Sequence, residues 1–244
     1  MRTCTLFAIG LAGCGASDDA GNSAPRLWDY GFNAQALESN TALKACVAAH
    51  LGVDPSDSIS PVYARELKHL DCIDEGITSA AGLQNFPNLE TLSLWENEIE
   101  DLSELTNLTQ LVWLELGNNA IRDISPLAKL TKLERLGLSA NKIADLDVIR
   151  NFDALKWLNL DDNRISDASA LADLDGLTWL TIEHNALNDF GVVDAIADSG
   201  ADVYHQNQSN GSSKTPAYTE SGTLDVNLAT LSPWIDSEGS VGFD

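Results

Sequence analysis

Apolar residues recur along the middle of the chain with a period of 22 residues. The first leucine of each unit is at Leu89, Leu111, Leu133, Leu155 and Leu177. Further apolar residues follow three and five positions later, and an asparagine ends each motif, at Asn97, Asn119, Asn141, Asn163 and Asn185. Each unit thus follows the pattern L-x-x-L-x-L-x-x-N. A fixed period of this kind predicts a stack of similar coils rather than one compact core.

Within each motif the apolar residues alternate as they do in a β-strand. Leu92 and Leu94 point to one side of such a strand, whereas Thr91, Ser93 and Trp95 point to the other. Strands stacked in phase form a parallel sheet with the leucines inside. The outward residues then line the concave face of an α/β solenoid, which has the horseshoe shape of leucine-rich repeats.

The remainder of each unit has apolar residues at every third position, as in Ile121, Ile124 and Leu127. Three residues per turn is the period of a 3₁₀-helix, so we expect 3₁₀ or extended structure on the convex side. Each asparagine is expected to satisfy backbone groups in the interior, and these residues form a structural asparagine ladder. An aspartate four residues after each asparagine is expected to cap the next segment. These aspartates are Asp101, Asp123, Asp145, Asp167 and Asp189.

The units at both ends of the array depart from the motif. Five regular repeats start at residue 89, within a repeat region predicted over 67–207. The first unit has Leu67, Leu70, Cys72 and Ile77 at apolar positions and Glu75 in place of the asparagine. In the last unit Tyr204 and Asn207 keep the 22-residue phase, with Ser199 and Asp202 at apolar positions. We expect degenerate first and last repeats.

A helical N-terminal cap is predicted over 32–66. Leu37–Leu51 and Ile59–Leu70 have the pattern of two short helices, and Pro55, Asp57 and Pro61 supply the break between them.

The first residues have the pattern of an export signal. Arg2 precedes a short apolar run, and Leu11-Ala12-Gly13-Cys14 resembles the lipobox of bacterial lipoproteins. The resemblance implies a signal peptide at 1–13, lipidation of Cys14 and a flexible tether over 14–31. It also implies attachment to the cell envelope, at the outer membrane if the cell has two. Plain secretion and a chance resemblance are the alternatives.

Cys46 and Cys72 remain as a pair once Cys4 and Cys14 are assigned to the signal and the anchor. An oxidising compartment would let them form a disulfide, and two separately buried thiols are the alternative. The four histidines have no ligand spacing with either cysteine, so we expect no metal site. We also expect no cofactor.

The formal net charge is -23, which makes nucleic acid and anionic lipid head groups unfavourable partners. Contact with a membrane is therefore expected only through a lipid anchor. A polar C-terminal tail is predicted over 208–244, and its last part, with Leu224 and Trp234, is a candidate partial C-terminal cap.

Four tryptophans fall at outward positions of the strands, where solvent-facing indoles are typical of binding surfaces. The candidate binding residues are Trp95, Trp113, Glu115, Arg135, Trp157, Asp161, Trp179 and Glu183. Arg135 would lie between two indoles, and Gly117, Gly137 and Ser139 would leave a shallow hollow beside them. We expect this aromatic and acidic face to accept a protein with a basic patch, or alternatively a glycan. A ladder of indoles that only stiffens the sheet is the competing interpretation.

The segment Asn119–Leu130, Asn-x-Ile-x-Asp-Ile-Ser-Pro-Leu-x-x-Leu, resembles the 22-residue repeats of internalins. The resemblance covers about residues 35–205 and implies a protein-binding module; we also expect a monomer. An envelope scaffold without a ligand, and an intracellular subunit resembling phosphatase regulators, are alternatives. The sequence has no nucleophile elbow, phosphate loop or H-E-x-x-H motif, so an enzyme is not expected.

Overall fold

Seven strands of three residues each build the sheet that the repeats predict. The structure is a computed structural model that describes residues 33–208. The strands are β1 (His69–Asp71), β2 (Thr91–Ser93), β3 (Trp113–Glu115), β4 (Arg135–Gly137), β5 (Trp157–Asn159), β6 (Trp179–Thr181) and β7 (Asp202–Tyr204). They pair in chain order in one parallel sheet. The predicted solenoid is therefore confirmed.

The register between neighbouring strands is 22 residues from β1 to β6. Leu92, for example, pairs with Leu114, which pairs with Leu136. These leucines are fully buried, and so are the third-position residues of the convex side, such as Ile121 and Leu127. Short 3₁₀ turns stack on that side at Leu83–Asn85, Ser103–Leu105, Ser125–Lys129, Asp147–Asn151 and Ser169–Asp173.

Each ladder asparagine bonds to its own coil and to the coil before it. The Asn141 Nδ2 donates to the carbonyls of Leu138 and Ser139, at 3.1 Å each, and to that of Leu116 at 2.9 Å. Its Oδ1 accepts from the Ile121 amide at 3.0 Å. One side chain thus satisfies four buried backbone groups that the turn leaves unpaired.

The convex aspartates cap the segments that follow them. In each of the five, Oδ1 accepts a hydrogen bond from the backbone amide two residues later, at 2.8 or 2.9 Å. Asp123, for example, accepts from the Ser125 amide, and the hydrogen bonds from the Ser125 hydroxyl and amide hold the pKa of Asp123 below its ordinary value. These five convex aspartates therefore have a structural role.

The last unit is one residue longer than the others, so the predicted phase at Tyr204 is wrong. Val203, not Asp202, pairs with the inward Leu180. Gln208 takes the ladder position, with Nε2 donating to the Ile182 carbonyl at 2.7 Å and Oε1 accepting from the Leu187 amide at 3.1 Å. Because successive strand residues face opposite sides, the extra residue turns Tyr204 outward.

An α-helix accommodates the extra residue. Helix α4, which is the fourth helix of the described chain, spans Gly191–Asp198 on the convex side of the last unit and buries Val193 and Ile196. The expectation of 3₁₀ or extended structure on the convex side is therefore wrong for this unit. Apolar residues three apart also fit one face of an α-helix, which explains the ambiguity.

Three helices precede the sheet, α1 (Ala34–Ser39), α2 (Thr41–Leu51) and α3 (Pro61–Glu66). The predicted helix over Leu37–Leu51 is broken at Asn40, whose Nδ2 donates to the Ser79 and Ala81 carbonyls at 2.7 and 3.0 Å. The second predicted helix is too long, because the chain enters β1 directly after α3. None of the helices in residues 33–208 is long and apolar enough to cross a bilayer.

A disulfide between Cys46 and Cys72 joins α2 to the residue that follows β1, with the two Cα atoms 5.8 Å apart. The signal peptide, Cys14, the tether and all but the first residue of the predicted C-terminal tail lie outside the described residues.

Candidate binding face

One outward column runs along the concave face through the first residue of each strand. It contains His69, Thr91, Trp113, Arg135, Trp157 and Trp179, each paired with the next across the sheet. All six side chains are partly buried. The register places Arg135 between Trp113 and Trp157, as the sequence predicts.

Three aromatic residues form a continuous strip at the C-terminal half of this face. The Trp157 and Trp179 rings stack with centroids 4.6 Å apart and planes within 4°. Tyr204 follows, with its ring centroid 6.1 Å from that of Trp179 and tilted by 48°. Tyr204 is 52% exposed. We call Trp157, Trp179 and Tyr204 the aromatic strip.

The sequence did not point to Tyr204 as a site residue, because the 22-residue phase placed it in the interior. A signal was nevertheless present. Val203 and Gln208 are five residues apart, the same separation as Leu180 and Asn185 in the preceding unit. Aligning on that pair would have revealed the insertion and the outward tyrosine.

The predicted hollow at Gly117 and Gly137 is filled by neighbouring side chains. A Cβ atom at Gly117 would lie 2.2 Å from the Trp95 ring. At Gly137 a Cβ would lie within 2.3 Å of the carboxylate of Glu115, the third residue of β3. Side chains of one coil therefore lean over glycines of the next coil, and the glycines make room for Trp95 and Glu115 rather than leaving open space.

Glu115 has an unusual environment for a carboxylate on a strand. Its Oε1 accepts a hydrogen bond from the Gly117 amide at 2.9 Å. Burial against the sheet raises the pKa of Glu115 to about 7, although the hydrogen bonds from the Gly117 and Leu116 amides act in the opposite direction. Glu115 therefore keeps its proton to a higher pH than an exposed glutamate does.

The carboxylate of Asp161 forms hydrogen bonds within the sheet. It accepts hydrogen bonds from the Thr181 hydroxyl and, at 2.6 Å, from the Glu183 amide. Burial raises the pKa of Asp161 to about 6, with a smaller contribution from the charges of Glu183 and Asp162. Glu183 is partly buried beside it. These carboxylates therefore lie at the end of the strands rather than projecting freely as a rim.

The strand ends form a predominantly acidic margin. His184 Nδ1 lies 3.6 Å from Asp162 Oδ1, and burial raises the pKa of Asp162. Within residues 33–208 no three His, Cys, Asp or Glu side chains are grouped to hold a metal ion. The arrangement offers aromatic contact and negative charge side by side.

Comparisons with known proteins agree with this fold. A family model described as Leucine Rich repeats (2 copies) matches residues 109–151, and one described as Leucine rich repeat matches residues 131–187. The chain therefore carries leucine-rich repeats. A comparison with curated proteins finds no match.

Two solved structures from Listeria monocytogenes are similar to the chain. An internalin (inlF) matches with 30% identity and a TM-score of 0.64, over 70% of this chain and 52% of its own. An internalin C2 (inlC2) matches with 25% identity and a TM-score of 0.52, over 70% of this chain and 91% of its own. The chain thus spans about half the length of the first internalin. The open sheet with short 3₁₀ turns is like that of the internalin solenoids.

Proposed function

We propose that the protein is a non-enzymatic binding module that recognises another protein through its concave face. The observation that carries the proposal is the aromatic strip, in which a stacked indole pair continues into the half-exposed Tyr204. Aromatic side chains with one apolar face and one polar tip are enriched at the centres of protein interfaces. The likeness to internalin solenoids supports a binding role for the fold.

The stacking geometry favours a protein over a glycan as the partner. A sugar that binds to an aromatic residue packs against an open ring face. In the Trp157–Trp179 pair the two facing surfaces cover each other, because the rings are parallel with centroids 4.6 Å apart. Each of these two indoles thus has one ring face fewer to offer a sugar, whereas its ring edge suits the mixed apolar and polar surface of a polypeptide.

The charge of the chain supports a basic partner. The net charge is -23, and Asp161, Asp162 and Glu183 cluster beside the strip. Complementary charge accelerates association and disfavours acidic competitors.

The test compares two tyrosines of nearly equal exposure. Tyr204, in the strip, is 52% exposed, and Tyr63, in α3, is 50% exposed. Crosslinking on intact source cells, followed by mass spectrometry, should capture the same protein with wild-type chain and Tyr63→Ser, and several-fold less with Tyr204→Ser. Equal capture by both variants would contradict the proposal.

A second function, a scaffold stiffened by stacked indoles, is favoured by the Trp157–Trp179 stack itself. Trp157→Ser separates the two. Loss of stability with undiminished capture supports the scaffold, whereas loss of capture beyond the loss of folded protein supports the binding face.

We also propose that Cys14 attaches the module to the cell envelope through lipid. The lipobox-like sequence before Cys14 supports this proposal. Palmitate should label the wild-type chain but not Cys14→Ser in source cells. A chain that is unlabelled in both forms would point to secretion or to an intracellular location.

A further inference from the structure

The sheet ends at β7, whose outer side has no strand neighbour within residues 33–208. In the preceding coils, the amide of the second inward residue of the motif donates to a carbonyl of the next coil. Leu138 donates to the Asn159 carbonyl at 2.9 Å, for example, and Ile182 donates to the Tyr204 carbonyl at 2.8 Å. His205 takes this position in the last coil, and its amide has no acceptor in the described part of the chain. The outer side of β7 is therefore an open sheet edge.

The apolar core is also open at this end of the solenoid. Leu180 is fully buried beneath Val203 of the next coil, whereas Val203 itself is partly exposed. Phe190 and Val192, on the convex side of the last coil, are likewise only partly buried against the core. The C-terminal end thus exposes backbone hydrogen-bonding groups and apolar side chains together, and one further strand would cover both.

A segment further along the chain repeats the spacing of the last coil. Leu180 of β6 pairs with Val203 of β7, which is 23 positions later. Another 23 positions lead to Val226, and Leu228 lies at the same distance after His205. Both inward positions of the last coil therefore have an apolar continuation at the spacing that already separates β6 from β7.

The residues around Val226 have the pattern of a strand with one apolar face. Leu224, Val226 and Leu228 alternate with Asp225 and Asn227. Alternate residues of a strand point to opposite sides, so the three apolar side chains share one face. A parallel strand needs a connection of about a dozen residues or more, and the spacing from β7 provides it.

We infer that Asp225–Asn227 forms an eighth strand, which pairs in parallel with β7 and closes the C-terminal end of the solenoid. In this arrangement Val226 covers Val203, and the His205 amide donates to the Asn227 carbonyl, as the corresponding amides do in the preceding coils. Burial of the apolar face of the segment stabilises the pairing.

The eighth strand adds one row to the concave face. Asn227 lies beside Tyr204 on one side, as Thr181 of β6 does on the other. The tyrosine of the aromatic strip is then held between two strands rather than on an edge. The inference does not rest on the proposed function, because it concerns contacts within the chain and its test needs no partner.

Hydrogen exchange of single backbone amides in the full chain, followed by NMR, tests the inference. The His205 amide should exchange at least about tenfold more slowly than in an unstructured peptide, because it has an acceptor in the eighth strand. The Leu138 amide, which donates within the solenoid, is the internal reference for a folded chain. A His205 amide that exchanges at the unstructured rate, with Leu138 protected, would overturn the inference.

Two variants introduce the same carboxylate at neighbouring positions of the segment. Val226→Asp places it on the inward face, where burial of a charge is costly, and Asn227→Asp places it on the outward face. The His205 amide should exchange about tenfold faster or more in Val226→Asp and at the wild-type rate in Asn227→Asp. Val226→Ile, which keeps an apolar side chain, should also retain the wild-type rate. Equal exchange in Val226→Asp and Asn227→Asp would contradict the inward and outward assignment on which the inference depends.

Dilution distinguishes the eighth strand from a second copy of the chain at the same edge. Pairing between two copies would protect the His205 amide less as the chain is diluted. Protection that does not change with concentration and is lost in Val226→Asp supports the eighth strand. Protection that falls on dilution, or that survives Val226→Asp, assigns the edge to another occupant and overturns the inference.

Discussion

Single residues at the strand ends hold the unusual chemistry of this solenoid. The buried carboxyl groups of Glu115 and Asp161 are more stable without charge, which is why their pKa values rise to about 7 and about 6. A carboxyl group whose pKa is higher in the folded chain than in the unfolded one destabilises the fold once it ionises. The candidate binding face is therefore maintained at a cost in stability.

Replacing Glu115 should remove that cost. The folded chain binds more protons than the unfolded chain between the unfolded pKa, about 4.5, and the folded pKa, about 7, so the free energy of unfolding falls as pH rises through this interval. Above pH 7 the full penalty applies. We expect Glu115→Gln to be more stable than wild type by about 1 to 3 kcal/mol at pH 8 and to gain little at pH 4.5, since one pKa unit corresponds to about 1.4 kcal/mol.

Urea unfolding at a series of pH values, followed by tryptophan fluorescence, measures this difference. Glu98→Gln changes an exposed carboxylate and should keep the wild-type pH dependence. A constant difference between wild type and Glu115→Gln from pH 4.5 to 8 would contradict the explanation.

The residues in the left-handed region show what the repeat motif does not predict. A residue with φ between 51° and 61° precedes every ladder position. These residues are Asp74, Glu96, Asn118, Ala140, Asp162, His184 and Asn207. Asparagine and aspartate tolerate this conformation, but Ala140 and Glu96 have no such tendency. At Glu96 and Ala140 the turn is therefore imposed by the hydrogen bonds of the following asparagine to the carbonyl before the turn residue, and not by local preference.

At the scale of elements, the 22-residue period predicts the strands from β1 to β6, because the same motif position points into the core in every one of these coils. The prediction of strand register fails where a repeat unit is longer than 22 residues. A single added residue in the last unit exchanges the two faces of β7, so Val203 lies inward and Tyr204 outward. The cap is similar, because Asn40 breaks the predicted helix through bonds to Ser79 and Ala81, which are distant in sequence.

The disulfide should determine the stability of the cap. It connects Cys46 in α2 to Cys72, across a sequence separation of 26 residues. On the chain-entropy estimate such a crosslink stabilises the folded state by about 3 to 4 kcal/mol. The double variant Cys46→Ala with Cys72→Ala should lower the free energy of unfolding by that amount.

Reductant provides the control for this measurement. Dithiothreitol should lower the unfolding midpoint of the wild type in urea and leave that of the double variant unchanged. Amide exchange should increase most in α2 and β1, because the crosslink joins α2 to the residue after β1, and in α1, which contacts α2. Uniform loss of protection along all seven strands would contradict a role confined to the cap.

At the scale of the whole molecule, the stacking of the repeats predicts which residues lie on the concave face. It does not predict where that face is hollow and where neighbouring side chains fill it. Strand periodicity places Trp95, Trp113, Trp157 and Trp179 on one face, because alternation alone sets that. Whether Gly117 and Gly137 leave a hollow depends on the direction in which neighbouring side chains lean. Trp95 and Glu115 lean over the glycines, a choice made by packing between strands and not by the motif.

The net charge acts on the whole chain at once. A charge of -23 repels itself more strongly in the compact state than in the expanded one, and salt screens that repulsion. We expect the free energy of unfolding at pH 8 to rise by about 1 to 2 kcal/mol between 20 and 500 mM sodium chloride. At pH 4.2, which is the pI of the chain, positive and negative charges balance, and the same salt should change stability little or lower it. Thermal unfolding at low and high salt, at pH 8 and at pH 4.2, tests this expectation. An equal rise in melting temperature at both would show that salt acts through apolar burial, and the acidic surface would then carry no measurable cost for the fold.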